Sequence, residues 1–411
     1  MEHAFTSEFF AGNRRRLREL FTGTAPIVLT ANGLLQRSAD EAYPFKQDAS
    51  FWYMTGIDEP DVLLVMDKDK EYLIVPGREA VRVVFEGAVD EAELKRISGI
   101  DTVYDEEQGW RQLGTRLKKS KHLATLAAAP AYMQRLGMYS NPARRRLLKQ
   151  VKAWNEAVEL LDISQHVARL RMVKQPEEIA AIQGAIGITA QGIKVLCRNL
   201  KRGAYGYEYE LEADLFRHFR KAGLRGHGFD PVVASGLRAC TMHNNGNEGK
   251  LSSDELVLFD VGAEYGHYTA DLARTVSISG SPSRRQQAVH GAVLEAQVYA
   301  LSLVKPGALF KEYEEAVEQF MGEKLRELGL IKTIEHDVVR KFYPHAISHY
   351  LGLNAHDAGL YDRPMEAGMV LAVEPGIYIP AESIGVRVED DVLITPEGNR
   401  VLSSHLGREL A

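Results

Sequence analysis

The sequence predicts an α/β protein built of two domains. Two observations carry this. A chain of 411 residues exceeds what one core organises, since single cores stop growing at roughly 250–300 residues. The first part also alternates short apolar runs with helical patterns, the order that produces an α/β layer. Ile27, Val28 and Leu29 form one strand candidate, and segments 61–66 and 72–75 two more. A basic helix is expected over 142–161, and the domain boundary near residue 165, giving domains 1–165 and 166–411.

The second part opens on Gln175-Pro176-Glu177-Glu178, with proline in the first turn and acids where the helix dipole favours them. Helices are expected over 177–200 and 207–222. Strands follow between 254 and 278, then long helices over 286–303 and 313–328. Strands return from 369 to the end.

Bulk properties narrow the function classes. Apolar residues make up 45% and charged residues 26% of the chain, the balance of a soluble globular protein. A net charge of -6 argues against nucleic acid, whose phosphates need a basic face. Two cysteines, Cys197 and Cys240, exclude a disulfide framework and fit a reducing cytosol. The N-terminal segment has no apolar stretch with a cleavage site, so no signal peptide is expected. No apolar run approaches a membrane span. The expected location is the cytoplasm, with no membrane partner.

Acids in apolar strands carry the chemistry. Strand candidates 256–262 and 267–278 flank Ala263-Glu264-Tyr265-Gly266. A turn centred between Tyr265 and Gly266 sets Asp260 opposite Asp271. Segments 369–379 and 384–394 flank Pro380-Ala381-Glu382-Ser383, which sets Glu374 opposite Glu389. Like charges so placed destabilise a ladder unless a cation sits between them. Carboxylates among Val257, Leu258 and Phe259, or Leu371, Ala372 and Val373, must be paired, protonated or metal-bound.

Four histidines stand out: His243, His345, His349 and His356. The last three share one segment, His345-Ala346-Ile347-Ser348-His349-Tyr350-Leu351-Gly352-Leu353-Asn354-Ala355-His356-Asp357. It lacks the acid of an HExxH motif, and Gly352 argues against a continuous helix. Four carboxylates with one imidazole make an oxygen-rich site suited to Mn²⁺, and less distinctively to Co²⁺, Fe²⁺ or Zn²⁺.

These residues resemble the aminopeptidase P and prolidase family. The quotable pieces are Phe259-Asp260-Val261-Gly262, Thr269-Ala270-Asp271-Leu272-Ala273-Arg274-Thr275, the histidine segment, Glu374-Pro375-Gly376-Ile377-Tyr378, and Val386-Arg387-Val388-Glu389-Asp390-Asp391. The stretch Gln47-Asp48-Ala49-Ser50-Phe51-Trp52-Tyr53-Met54-Thr55-Gly56 resembles that family's non-catalytic domain in its aminopeptidase P form. By propensity alone it reads as strand and turn.

The resemblance implies an N-terminal α/β domain followed by a pita-bread α+β catalytic domain, in a homodimer or homotetramer. It implies two divalent ions: Asp260 and Asp271 on one, Asp271, His349, Glu374 and Glu389 on the other, with Asp271 and Glu389 bridging. His243 and His356 match residues that contact substrate or steady the intermediate. His345 and Arg387 match positions on the proline side, and Glu374 matches the proton shuttle. The implied activity is hydrolysis of the N-terminal Xaa-Pro bond by a metal-bridging hydroxide, on peptides with proline at the second position. Two alternatives remain. A prolidase cuts only the dipeptide and often carries an arginine-bearing loop before the first ligand glutamate; here that span is short, with Arg363 alone. A non-catalytic pita-bread module binds a peptide or protein and typically loses ligands, whereas all five are present.

Overall fold

The computed structural model describes residues 5–68, 70–126 and 142–410. The chain divides into two compact units, Phe5–Leu170 and Arg171–Ala411.

The first unit is built on a six-stranded mixed sheet. Its strands are β1 (Ile27–Thr30), β2 (Leu63–Asp67), β3 (Lys70–Ile74), β4 (Val103–Tyr104), β5 (His122–Thr125) and β6 (Glu159–Asp162), in the order β4-β3-β2-β1-β5-β6. Val28, Val65, Ile74, Leu113, Leu123 and Val151 form its core. Helix α1 (Ser7–Leu20) sets Phe10 edge-on against Trp52, with ring centroids 5.3 Å apart.

Trp52 lies in helix α2 (Ala49–Thr55), where β-propensity predicts a strand. The helix wins because the Asp48 side chain accepts hydrogen bonds from the Ser50 and Phe51 amides. An N-cap of this kind contributes about 1 kcal/mol, and the turn ends at Gly56 in the left-handed region. Phe51, Trp52, Tyr53 and Met54 are buried. Helix α3 (Pro142–Trp154) is shorter than the sequence predicts, since 159–162 is strand β6. The Asn155 side chain donates to the carbonyls of Leu117 and Ser120, so the chain leaves the helix there and returns to the sheet.

In the second unit, α4 (Pro176–Leu200) opens with Pro176 in its first turn and a reciprocal capping box between Gln175 and Glu178. By length and composition this helix is apolar enough to cross a membrane. Here it is a core helix: Ala181, Ile182, Ala185, Ile186 and Ile193 are buried, and buried Glu178 accepts from Tyr268 Oη at 2.8 Å. Helix α5 (Glu208–Lys221) follows.

Three sheets come next, besides a short two-stranded ladder of Glu264–Tyr265 with Tyr268–Thr269. The first has β8 (Leu256–Val261) between β7 (Val232–Ser235) and β9 (Leu272–Ser277). The second has the order β10-β11-β14-β15, from Ser348–Tyr350, Val370–Val373, Asp390–Thr395 and Gly398–Val401. The third is the hairpin of β12 (Gly376–Ile379) and β13 (Ile384–Arg387). Helices α6 (Arg284–Leu303) and α7 (Phe310–Glu327) cover the sheets. Val289, Val293, Ala296 and Ala300 form one stripe, and Val317, Met321 and Leu325 another. Both join a single core with Leu371, Val373, Val392 and Ile394. Helical spacing of the first set and strand spacing of the last explain why each element buries one face.

The first acid hairpin departs from its predicted register. Asp260 pairs with Ala273 and Val261 with Leu272, while Glu264 pairs with Thr269 and Tyr265 with Tyr268. The turn is therefore Gly266-His267, both with positive φ (56° and 67°). Such a two-residue turn matches the twist of the flanking strands. The shift is two residues, so Asp260 and Asp271 remain on one face as diagonal neighbours rather than an opposed pair. The second hairpin keeps the predicted register. Val373 pairs with Asp390 and Gly376 with Arg387, which places Glu374 opposite Glu389 in the gap between the two ladders.

Candidate metal centre

The candidate ligands and substrate contacts of the aminopeptidase reading line one cavity of about 420 Å³: Asp260, Asp271, Glu374 and Glu389, the histidines 243, 345, 349 and 356, and Arg387. The sheets explain the convergence. Asp260 comes from β8, and Asp271 from the residue before β9. His349 comes from β10, and the two glutamates from the breaks beside β11 and β14.

The imidazole of His349 is the hub. Its Nε2 lies 3.6 Å from Asp271 Oδ2, 3.6 Å from Glu374 Oε1 and 3.9 Å from Glu389 Oε1. Its Nδ1 faces the Tyr350 carbonyl at 3.1 Å, which places the ring proton on Nδ1 and leaves the Nε2 lone pair for the acids. Burial, with His356 close by, lowers the His349 pKa to about 3, so the ring is neutral and free to ligate.

The acids are in the opposite predicament. Burial raises the Asp271 and Glu389 carboxyls well above their usual range, and each also feels neighbouring acids. Burial likewise pushes Glu374 up to about 8, against the pull of Arg387. Glu389 Oε2 is buried with no hydrogen-bond partner among the described residues, and so is Asp391 Oδ1. Asp271, His349 and Glu389 each offer a ligand atom, all within 4.8 Å of one another. Carboxylates held this close in a desolvated site are what a divalent cation would relieve. The donor set thus fits a metal.

Asp260 stands apart from this trio. Its Oδ2 is held by Arg387 Nη1. Arg387 is buried, and its Nε donates to Tyr378 Oη at 2.8 Å. Tyr378 Oη in turn lies 2.8 Å from His345 Nε2. His345 Nδ1 lies 2.9 Å from the Ala346 carbonyl and 3.6 Å from Glu374 Oε2. Burial first, then Arg387, lowers the His345 pKa to about 3. His243 and His356 are exposed at the rim. Burial, then His243, lowers the His356 pKa.

Sequence reasoning assigned no role to Tyr378 or Asp391. Strand period offered a signal for both. Tyr378 shares a face with Gly376, across from Arg387, and the missing Cβ of Gly376 makes room, since one there would lie 2.4 Å from Tyr378 Oη. Asp391 shares its face with Glu389 and accepts the Asp271 amide at 3.1 Å, fixing that acid's backbone. Behind the site, Arg274 donates to the Glu389 carbonyl at 2.5 Å and to Asp390 Oδ1 at 2.7 Å.

Comparisons with known proteins agree with this architecture. Residues 180–396 match the model of metallopeptidase family M24, and residues 10–125 match the aminopeptidase P N-terminal domain. The Xaa-Pro aminopeptidase of Haemophilus influenzae is 30% identical over 98% of this chain and 96% of its own. The solved structure of a Bacillus anthracis protein assigned as an aminopeptidase P superposes with a TM-score of 0.89. It is 32% identical, over 99% of this chain and 97% of that one. A zinc-substituted E. coli aminopeptidase P in complex with product gives 0.84 at 29% identity, over 98% and 96%. The chain therefore belongs to metallopeptidase family M24, in its aminopeptidase P branch.

Proposed function

We propose that this protein is a dinuclear metallo-aminopeptidase that hydrolyses the N-terminal Xaa-Pro bond of peptides. The observation that carries this reading is His349 Nε2 facing Asp271, Glu374 and Glu389 in one desolvated pocket. Relatives named as Xaa-Pro aminopeptidases over nearly the whole chain support it.

Asp260 would hold one ion and His349 and Glu374 the other, with Asp271 and Glu389 shared between them. The oxygen-rich set favours Mn²⁺, with Co²⁺, Fe²⁺ or Zn²⁺ as substitutes. For Asp260 to ligate, Arg387 must yield part of its grip on that carboxylate. Bound divalent ions supply water acidic enough to ionise near neutral pH and a Lewis-acid contact for the scissile carbonyl.

The chain's own groups do the rest. Glu374, ionised once cations are bound, takes a proton from the attacking water and returns it to the leaving imino nitrogen. His243, on the rim, donates to the oxyanion, and His356 steadies the same intermediate. His345 and Arg387, tied together by Tyr378, wall the side that receives the proline ring. A proline amide has no N–H, so no hydrogen bond is needed there.

A hydrolysis panel tests this reading. With added Mn²⁺, Co²⁺ or Zn²⁺, peptides with proline second should be cut and matched alanine peptides should not. Cleavage indifferent to the second residue, or unchanged by a chelator, rejects it.

The same reading gives the non-catalytic role to residues 1–165 and the metallopeptidase role to residues 166–411. It places the chain in the cytoplasm, which its two free cysteines support, and predicts a homodimer or homotetramer. Light scattering that gives a strict monomer contradicts the oligomer.

A further inference from the structure

A second cavity of about 370 Å³ lies away from the metal centre, between the C-terminal half of α4, strand β9 and residues 406–409. Its walls have two characters. Ile193, Leu200, Val276 and Leu406 are apolar. Lys194, Arg198 and Lys201 recur at helical spacing and form one cationic stripe beside that wall. All three cations are exposed. Arg198 and Lys201 have no ion-pair partner among the described residues, and Lys194 donates to the His405 carbonyl at 2.7 Å.

Arg274 closes the floor, paired with Asp390, an acid that Arg408 shares. At the mouth the positive field comes from the helix stripe, opposed among the described lining residues by Glu409. Cations near a helix C-terminus complement its dipole. That accounts for their sign, but not for a concavity with an apolar wall beside them. In a chain of net charge -6, three cations against one acid over such a cavity select for negative charge on an apolar body.

We propose that this cavity is a binding site for a small amphipathic anion, distinct from the peptide cleft. The acidic head lies against Lys194, Arg198 and Lys201. The aliphatic or aromatic body lies on Ile193, Leu200, Val276 and Leu406. The size is within the range of small-molecule sites, roughly 300–1,000 Å³.

Calorimetry on the metal-loaded protein tests this, with octanoate as probe. Acetate supplies the head alone, and octylamine the body with the opposite charge. Octanoate should bind saturably and both controls at least about tenfold more weakly. The double variant Arg198→Glu, Lys201→Glu should raise the octanoate Kd by about tenfold or more. Both side chains are exposed, and an unchanged melting temperature confirms the variant's fold. A proline-containing product peptide in the cleft should leave octanoate binding intact. Absence of saturable binding overturns the proposal. So does octanoate binding that survives the double variant, or that is displaced by the product peptide, since either places the anion on the metal centre.

Discussion

Tyr378 Oη accepts a hydrogen bond from Arg387 Nε at 2.8 Å, across a ladder position that Gly376 leaves open. The same hydroxyl reaches His345 Nε2 at 2.8 Å. One phenol therefore ties the cavity's buried guanidinium to the imidazole beside Glu374. Tyr378→Phe keeps the ring and removes both bonds. Leaving buried polar groups unpaired costs about 1–3 kcal/mol each. The expected outcome is a melting temperature several degrees lower and a fall in kcat/KM. Wild-type values on both counts would dismiss the link as incidental.

Glu374→Gln separates proton transfer from folding. The amide is nearly isosteric but cannot accept a proton. Turnover should fall by roughly 10²–10⁴-fold, more if metal binding suffers, with an unchanged circular dichroism spectrum. Turnover within a few-fold of wild type would reassign the proton shuttle.

Metal removal should make stability sensitive to pH. Glu374 sits near 8 when folded, against an ordinary value of 4.5. Between those values the native state keeps a proton that the unfolded chain has lost. Stability therefore falls as pH rises through that window, and Asp271 and Glu389 act in the same direction. Bound cations take the ionised forms and reverse the trend. The gap in melting temperature between loaded and chelated protein should widen from about pH 5 to about pH 8. Metal analysis should return about two ions per chain for a two-metal site. A gap that narrows with pH contradicts the assignment of these acids.

The loop that carries His356 is fastened by a buried ionic cluster. Asp357 accepts from Lys174 Nζ at 3.1 Å and from Arg171 Nη2, and all three residues are buried. Burial alone would raise the Asp357 pKa, but the two cations outweigh it and hold the carboxyl below its usual range. Asp357→Ala removes the acid that both buried cations share, which costs about 3–5 kcal/mol. Chemical denaturation should register that loss. A change under 1 kcal/mol, in the range of an exposed pair, would mean the cluster is solvated in solution.

The site was legible where chemistry and strand period coincide. Glu374 and Glu389 could be paired from the sequence because the turn at 380–383 sits symmetrically between them. Asp260 and Asp271 were misregistered by two residues because the turn falls on Gly266-His267. Nothing in a histidine advertises a positive φ. The helix at 49–55 hid behind β-forming aromatics; a single acid cap, Asp48, decides it. The Tyr378–Arg387 bond and the Asp357 cluster join residues whose pairing depends on how strands and a distant helix end are brought together. No local pattern encodes that.

The last expectation concerns substrate length. A dipeptide presents a free carboxylate directly behind its proline. Burying that charge in a narrow site costs several kcal/mol unless a fixed cation meets it, and arginine is the group best shaped to do so. Arg363, the arginine that a dipeptidase would use, is exposed and absent from the lining of the metal cavity. Arg387 does line it, yet its Nη1 is engaged by Asp260 and its Nε by Tyr378. No other lysine or arginine is among the cavity-lining residues described. A tripeptide moves its carboxylate one residue further out, towards solvent, and replaces the charge behind proline with a neutral amide. Xaa-Pro-Yaa should therefore be cut with a higher kcat/KM than the matched Xaa-Pro. The ratio should be insensitive to Arg363→Ala. A clear dipeptide preference that Arg363→Ala abolishes would show that this side chain swings into the cavity, and would place the chain among the dipeptidases.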